Sequence, residues 1–324
     1  MRNDGSVAYV RHLDGLNEVV DIMRNSKEND RNSSLESSSC EIDSDSSWYG
    51  TSSMEEAMDL MRYGWEEGRL KLKKAIGKIA IDELVGKRCT VDQIPDYTGD
   101  EVDIYRFLSG DPENMVEYHL EDSKYGKQAN MLVNCSLSSS VSPERIIKRG
   151  AAIYSAIEAL RAEGYALGLT MVESSKPERH SKKHKIYGVE YHIPIIEPGN
   201  YLDIDTASFC LAHPSFLRRA MFAVNETEKD KIRKVAGFYS GGGYGVPSKI
   251  FSKIPPNSFV INKGEGIDLK GASECQKFAQ SIADRALKAL GVEVCDNRNI
   301  NRLSLRCLGF TKHDTMDLNS KGRI

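Results

Sequence analysis

Asn134, Ser136 and Ser138 stand at alternate positions just after the apolar run Met131–Val133, in the phrase MLVNCSLSSSVSPERII. A serine-rich turn between a strand and a helix brings hydroxyls and free backbone amides to one point, where the helix dipole favours an anion. A phosphate or a partner's carboxylate suits such a turn; the alternative is serines that only cap the helix. A second concentration of chemistry is the run Lys176, Arg179, His180, Lys182, Lys183, His184 and Lys185, with one acid inside it, Glu178. Its cations Lys176, Arg179, Lys182, Lys183 and Lys185 would contact phosphates, with binding that falls steeply as salt rises. The alternative is a solvated hairpin tip whose lysines discourage strand pairing. His180 and His184 are four residues apart, but Pro177 and the surrounding charges place them in a loop, a weak basis for a metal site. Both tryptophans, Trp48 and Trp65, fall in one segment with Tyr49 and Tyr63. They are candidate partner anchors or base-stacking groups, against the favoured reading of helix packing on a neighbouring domain. His213-Pro214 reads as a helix start, and Gly241–Gly245 lacks the GxxxxGK[ST] pattern of a phosphate loop. No residue is assigned as catalytic.

The elements that position these groups follow from hydrophobic period. Residues 1–47 read as a flexible N-terminal segment and linker, with a short helix over Leu16–Met23 and a Ser-, Asp- and Glu-rich stretch that has little to bury. Residues 48–127 read as a mainly helical region, with Thr51-Ser52-Ser53 capping a helix and a break near Trp65 where Gly64 and Gly68 interrupt it. Residues 128–295 form an α/β unit and 296–324 a C-terminal tail. Within 324 residues, 40% hydrophobic and 28% charged content is ordinary for a globular chain of about two domains. A net charge of −3 gives no global basic field, so nucleic-acid contact would need a local patch. No run of about 18 apolar residues spans a bilayer, and the N-terminus lacks a secretory signal's apolar stretch. Seven cysteines without a CxxC pair suggest a reducing cytosol and no zinc site.

From Met131 onward the order is strand, helix, strand, strand, helix pair, strand, helix. It predicts an α/β fold: a mainly parallel sheet with helices on both faces, its second and third strands an antiparallel hairpin at one edge. With a serine turn after the first strand, this order resembles a von Willebrand factor A-type domain over residues 128–295. In such domains the turn reads Asp-x-Ser-x-Ser and, with a later Thr and Asp, holds one divalent cation. The resemblance implies that Asn134, Ser136 and Ser138, with Thr206 and Asp203 or Asp205 of LDIDTAS, would take Mg²⁺ or Mn²⁺. Asn134 stands where the family has a carboxylate and is a weaker ligand for a hard cation. The phrases SWYGTSSMEEAMDLMRYGWEEG, VNCSLSSSVSPERIIKRGAAIYSAIEALRAEGY and LDIDTASFCLAHPSFLRRAMFAVNE also resemble an uncharacterised family encoded by tailed bacteriophages. That likeness implies action in the cytoplasm of a bacterial host and supplies no catalytic residues. Three functions are in view. The first is a non-catalytic binding or scaffold protein with a host or phage protein as partner. The second is a nucleic-acid-associated factor using the basic loop 176–185. The third is a metal-dependent hydrolase centred on Asp203 and Asp205.

Overall fold

The alternating phrase VAYVRH forms a strand, β1 (Val7–His12), which joins the main sheet of the protein. The computed structural model describes residues 7–29, 46–76, 93–99, 101–118, 128–177, 186–200, 203–236, 238–239 and 243–292. After β1 come α1 (Leu16–Asn29), α2 (Ser46–Tyr49), α3 (Met54–Tyr63) and α4 (Glu66–Ile76). A small module follows: β2 (Gln93–Asp96), β3 (Glu101–Val102), α5 (Ile104–Leu108) and β4 (Met115–Tyr118). Then come β5 (Gln128–Asn134), α6 (Pro143–Ala162), β6 (Ala166–Lys176), β7 (Ile186–Ile196) and α7 (Ile204–Ala212). The chain continues through a π-helix (Phe216–Met221), α8 (Phe222–Thr227), α9 (Asp230–Ala236), β8 (Phe238–Tyr239) and β9 (Gly243–Tyr244). It closes with β10 (Val246–Pro247), β11 (Ser258–Ile261) and α10 (Ala272–Ala289). The C-terminal tail lies outside the described residues.

The main sheet runs β1-β7-β6-β5-β11, with the short β10 also paired to β6. Pairs β1–β7, β5–β6 and β5–β11 are parallel, and β6–β7 is antiparallel. Two expectations change here. The β6–β7 hairpin is not at an edge, because β1 lies outside β7 in parallel register, Val10 opposite Glu190 and His12 opposite His192. Nor do helices cover both faces. The large apolar cluster, which holds Met131, Val133, Leu169, Met171, Val189 and Ile193 of the strands, takes in buried apolar residues from each of α1, α3, α4, α6–α8 and α10. The opposite face carries a small cluster of Leu132, Val172 and Val260 with Ile250, and no helix residue belongs to it among the described residues. The reason is in the sequence GVPSKIFSKIPPN between β10 and β11. Pro247, Pro255 and Pro256 deny it a helix, so this return leg lies over the second face as extended chain.

The helices make two tiers. α3 and α4 pack on α6 and α7, and their Met54, Ala57, Met61, Trp65 and Leu72 belong to the same core as the sheet. Ser53 caps α3 by accepting from the Glu56 amide at 3.1 Å, and Glu56 accepts in return from the Ser52 amide. The expected break comes at Gly64, where φ is 85° and a Cβ would lie 2.3 Å from the Asp205 side chain. In α6, Gly150 lets α7 approach closely: a Cβ there would meet the Ala212 Cβ at 2.5 Å and the Leu211 carbonyl at 2.7 Å. Helix propensity alone favours alanine by about 1 kcal/mol. Here Gly150→Ala is expected to lose about 1–3 kcal/mol by overpacking. Urea unfolding reads the sign, and a stabilised variant would contradict this packing.

Candidate functional site

Open parallel sheets bind ligands outside the carboxyl ends of their strands, where connections leave in opposite directions. Here that point lies between β5, whose chain crosses to β6, and β11 on its other side. The crevice is filled by Arg149 of α6, only 2% exposed. Its guanidinium donates to the Asn134 carbonyl at 3.0 Å, the Glu265 carbonyl at 2.8 Å and the Asn262 carbonyl at 3.4 Å. It thus ties off the ends of β5 and β11. Burial pulls this guanidinium down to about 10, with Glu265 nearby favouring its charge. The space left beside it, lined by Cys135, Arg149, Met171 and Cys210 among others, is about 20 Å³. That is room for about one water; pockets for small molecules measure about 300–1,000 Å³.

The candidate ligands of the serine turn are used internally. Asn134 is fully buried; its amide donates to the Ser248 carbonyl at 2.9 Å and its Oδ1 accepts from the Ser136 amide at 3.0 Å. The Ser136 hydroxyl accepts from the Ser174 amide at 2.6 Å. Ser138 is exposed and shares a hydrogen bond with Ser140. The other three candidates stand at the far end of the sheet. The loop before α7 places Asn200 on Arg161, near the carboxyl end of α6, and Pro198 against Gly168 near the start of β6. There Asp203 caps α7 by accepting from the Asp205 amide, and Thr206 donates to Asp203. Asp205 faces Arg69 at 3.3 Å. The six residues therefore do not converge, and their donor set does not fit a single Mg²⁺ or Mn²⁺. Of the basic run, Lys176 is exposed at the end of β6, while Arg179, Lys182, Lys183 and Lys185 lie outside the described residues.

The aromatic segment is a staple within the molecule. The π-helix puts two successive arginines, Arg218 and Arg219, on the buried side. Arg218 donates to the Trp48 and Val141 carbonyls and stacks on the Trp48 ring at 4.3 Å. Arg219 donates to the Thr51 hydroxyl and carbonyl and lies 4.4 Å from the Tyr49 ring. Trp48 donates its indole N–H to the Ser139 carbonyl at 3.0 Å. Trp65 is buried, edge-on to His213 at 4.6 Å, so it does not present itself to a partner. His213 accepts from the Ser215 amide through Nδ1, and burial pushes it down to about 4, so it is neutral at pH 7. Beside it a cleft of about 420 Å³ opens between Leu60, Trp65, Ile147 and Pro214, with Glu56, Glu66, Glu67 and Lys71 on its walls.

A model of one family matches residues 2–293, described as a domain of unknown function. The chain belongs to this family, DUF7192. No curated protein and no solved structure matches it.

In this DUF7192 chain two buried carboxyls on the sheet were not legible as candidates. Glu190, on the second face, accepts from His192 Nε2 at 2.6 Å and from the amides of Phe251 and Ser252. Burial raises its carboxyl, but these donors outweigh burial and leave it below the ordinary value. Ser252 Oγ lies 3.3 Å from the same His192 Nε2. A hydrolytic relay needs the acid and the serine on opposite ring nitrogens. Glu190 instead pins the return leg to the sheet. On the helical face Glu173 lies opposite Tyr191, which lies opposite Arg11. Arg11 pairs with Glu228 at 2.9 Å. Burial raises Glu173 to about 8, although Asn225 and Ser175 beside it favour its charge. Their signal was an acid inside an otherwise apolar strand, LTMVESS and VEYHI.

The DUF7192 chain also carries a largely exposed apolar surface. Ile104, Tyr105, Phe107 and Leu108 of α5 are 66%, 87%, 61% and 76% exposed, with Tyr97 and Val102 exposed beside them. No catalytic geometry accompanies them; such a surface suits contact with another macromolecule.

Proposed function

We propose that this chain is a non-catalytic binding protein that acts through a macromolecular partner. The observation that carries the reading is the set of exposed apolar side chains on α5; a second, separate fact about the chain is that Arg149 fills the main sheet's ligand crevice. Asn134, Ser136 and Arg149 at the end of β5 are spent on the chain's own backbone, and the large apolar side chains of α5 face solvent. The von Willebrand factor A likeness is part of this reading. Taken in chain order, β5, β6, β7 and β11 lie in the sequence third, second, first, fourth, with the third antiparallel. The likeness of the quoted phrases to phage proteins suggests the cytoplasm of a bacterial host.

Affinity capture with the tagged full-length chain from bacterial lysate tests the proposal. A specific protein partner retained at physiological salt is the expected result. No specific partner, together with a measurable turnover of nucleotide, phosphodiester or peptide substrates, would overturn it. A nucleic-acid-associated role is the second reading, favoured by the exposure of Lys176 where the basic run begins. Neutralising Lys182, Lys183 and Lys185 would then flatten the salt dependence of DNA and RNA binding.

A further inference from the structure

The α5 module shows how its apolar side chains come to be outside. Polar groups fasten its helix. Asp103 caps it by accepting from the amides of Tyr105 and Arg106 at 3.0 and 3.2 Å. Arg106 ties the helix to Asp103 and to Asp111, the latter at 3.2 Å. The turn is then fastened to the sheet strands around it, with the Asp103 amide on the Asn114 carbonyl at 2.8 Å and the Asn114 side chain on the Asp111 carbonyl. None of these bonds uses the side chain of Ile104, Tyr105, Phe107 or Leu108. A preformed display of this kind loses little conformational entropy on binding.

The charge around the display selects the partner. In sequence, residues 93–118 hold seven acidic residues and one basic, Arg106, a charge of −6 in a chain whose total is −3, and the acids among the described side chains are Asp96, Asp103, Asp111 and Glu113. Phosphate backbones and anionic lipid headgroups would be repelled from this surface. Its complement is a protein segment that carries apolar side chains among lysines and arginines.

Resting on the binding reading above, we propose that the α5 surface docks a basic, amphipathic protein segment, with Tyr105 and Leu108 as its apolar anchors and the surrounding carboxylates steering the approach. The two anchors are the most exposed of the set, so changing them leaves the module's own bonds intact.

The test uses the full-length chain and a fluorescein-labelled peptide of alternating leucine and lysine clusters, followed by anisotropy at low and high salt. The peptide is expected to bind, to weaken as salt rises, and to lose at least about tenfold in affinity against Tyr105→Ser/Leu108→Ser. The control variant Ile254→Ser, on the return leg away from α5, is expected to bind as the unaltered chain does. A peptide with serine in place of leucine, a thymidine oligonucleotide and phosphatidylglycerol vesicles are expected not to bind the α5 surface. Peptide binding that Tyr105→Ser/Leu108→Ser leaves unchanged would overturn the proposed surface while leaving the binding reading intact. Oligonucleotide or vesicle binding lost in that variant would overturn the partner class. So would a chain that light scattering finds dimeric and that the same variant makes monomeric, because the occupant would then be a second copy. Capture of a specific partner that the double variant retains equally well separates failure of this site from failure of the binding reading.

Discussion

Arg149→Ala is expected to remove about 3–5 kcal/mol of stability, through lost hydrogen bonds and the cavity left behind. The cost has two sources. The Asn134 carbonyl loses its donor in a buried place, and those of Glu265 and Asn262 in partly buried ones. Each such orphan costs about 1–3 kcal/mol, and a cavity is left behind as well. Arg149→Lys is expected to recover little, since one ammonium cannot reproduce a planar fork that spans two strand ends and a loop. Urea unfolding at constant m-value checks both variants. A loss below about 1 kcal/mol would mean that water replaces the guanidinium readily and that the crevice is not closed by it.

Glu173→Gln is expected to stabilise the protein, by an amount that depends on pH. The folded carboxyl is raised from the ordinary 4.5 to about 8, because it lies 97% buried among Tyr191, Asn225 and Ser175 with Oε2 unpartnered. A raised acid binds its proton more tightly in the fold than in the unfolded chain. Stability contributed by this group therefore falls as pH rises from about 4.5 to about 8 and is level outside that window. At about 1.4 kcal/mol per pH unit, the difference between variant and parent grows to a few kcal/mol by pH 8–9. Below pH 4.5 the two should agree. Parallel stability–pH curves for parent and variant would show that Glu173 is already charged and paired in the fold. Tyr191 and Asn225 also carry buried unpartnered atoms, so ordered water is expected in this layer.

The long elements of this chain were legible in its sequence because their hydrophobic period is strong. Helices α6 and α10 run where the spacing places them, as do β7 and the break at Gly64 before Trp65. The reading of residues 1–47 as a flexible segment misses β1: VAYVRH is short, and only tertiary pairing shows that it extends the sheet beyond β7. The one-sided cover was hidden because crossover helices imply two covered faces, and the proline-bearing return leg gave no sign of which face it would lie on. The serine turn was located correctly in the chain and yields a turn fastened to β6 and to Ser248. Its partners could not be read, because a buried arginine inside an apolar helix looks in sequence like any solvated one. Trp65 packs on His213, while Trp48 is held by Arg218: Arg218 and Arg219 appear in sequence as an ordinary basic pair, and the π-turn that buries both has no sequence signature.

Titration of Mg²⁺, Mn²⁺ and inorganic phosphate against the full-length chain, followed by thermal unfolding, bears most directly on the closed crevice at the end of β5. An ion held only by the folded form raises Tm by mass action. With Arg149 filling the switch point and Asn134 and Ser136 bonded to their own backbone, Tm should stay level up to about 10 mM of each ion. A saturable rise that Ser138→Ala abolishes would contradict the account.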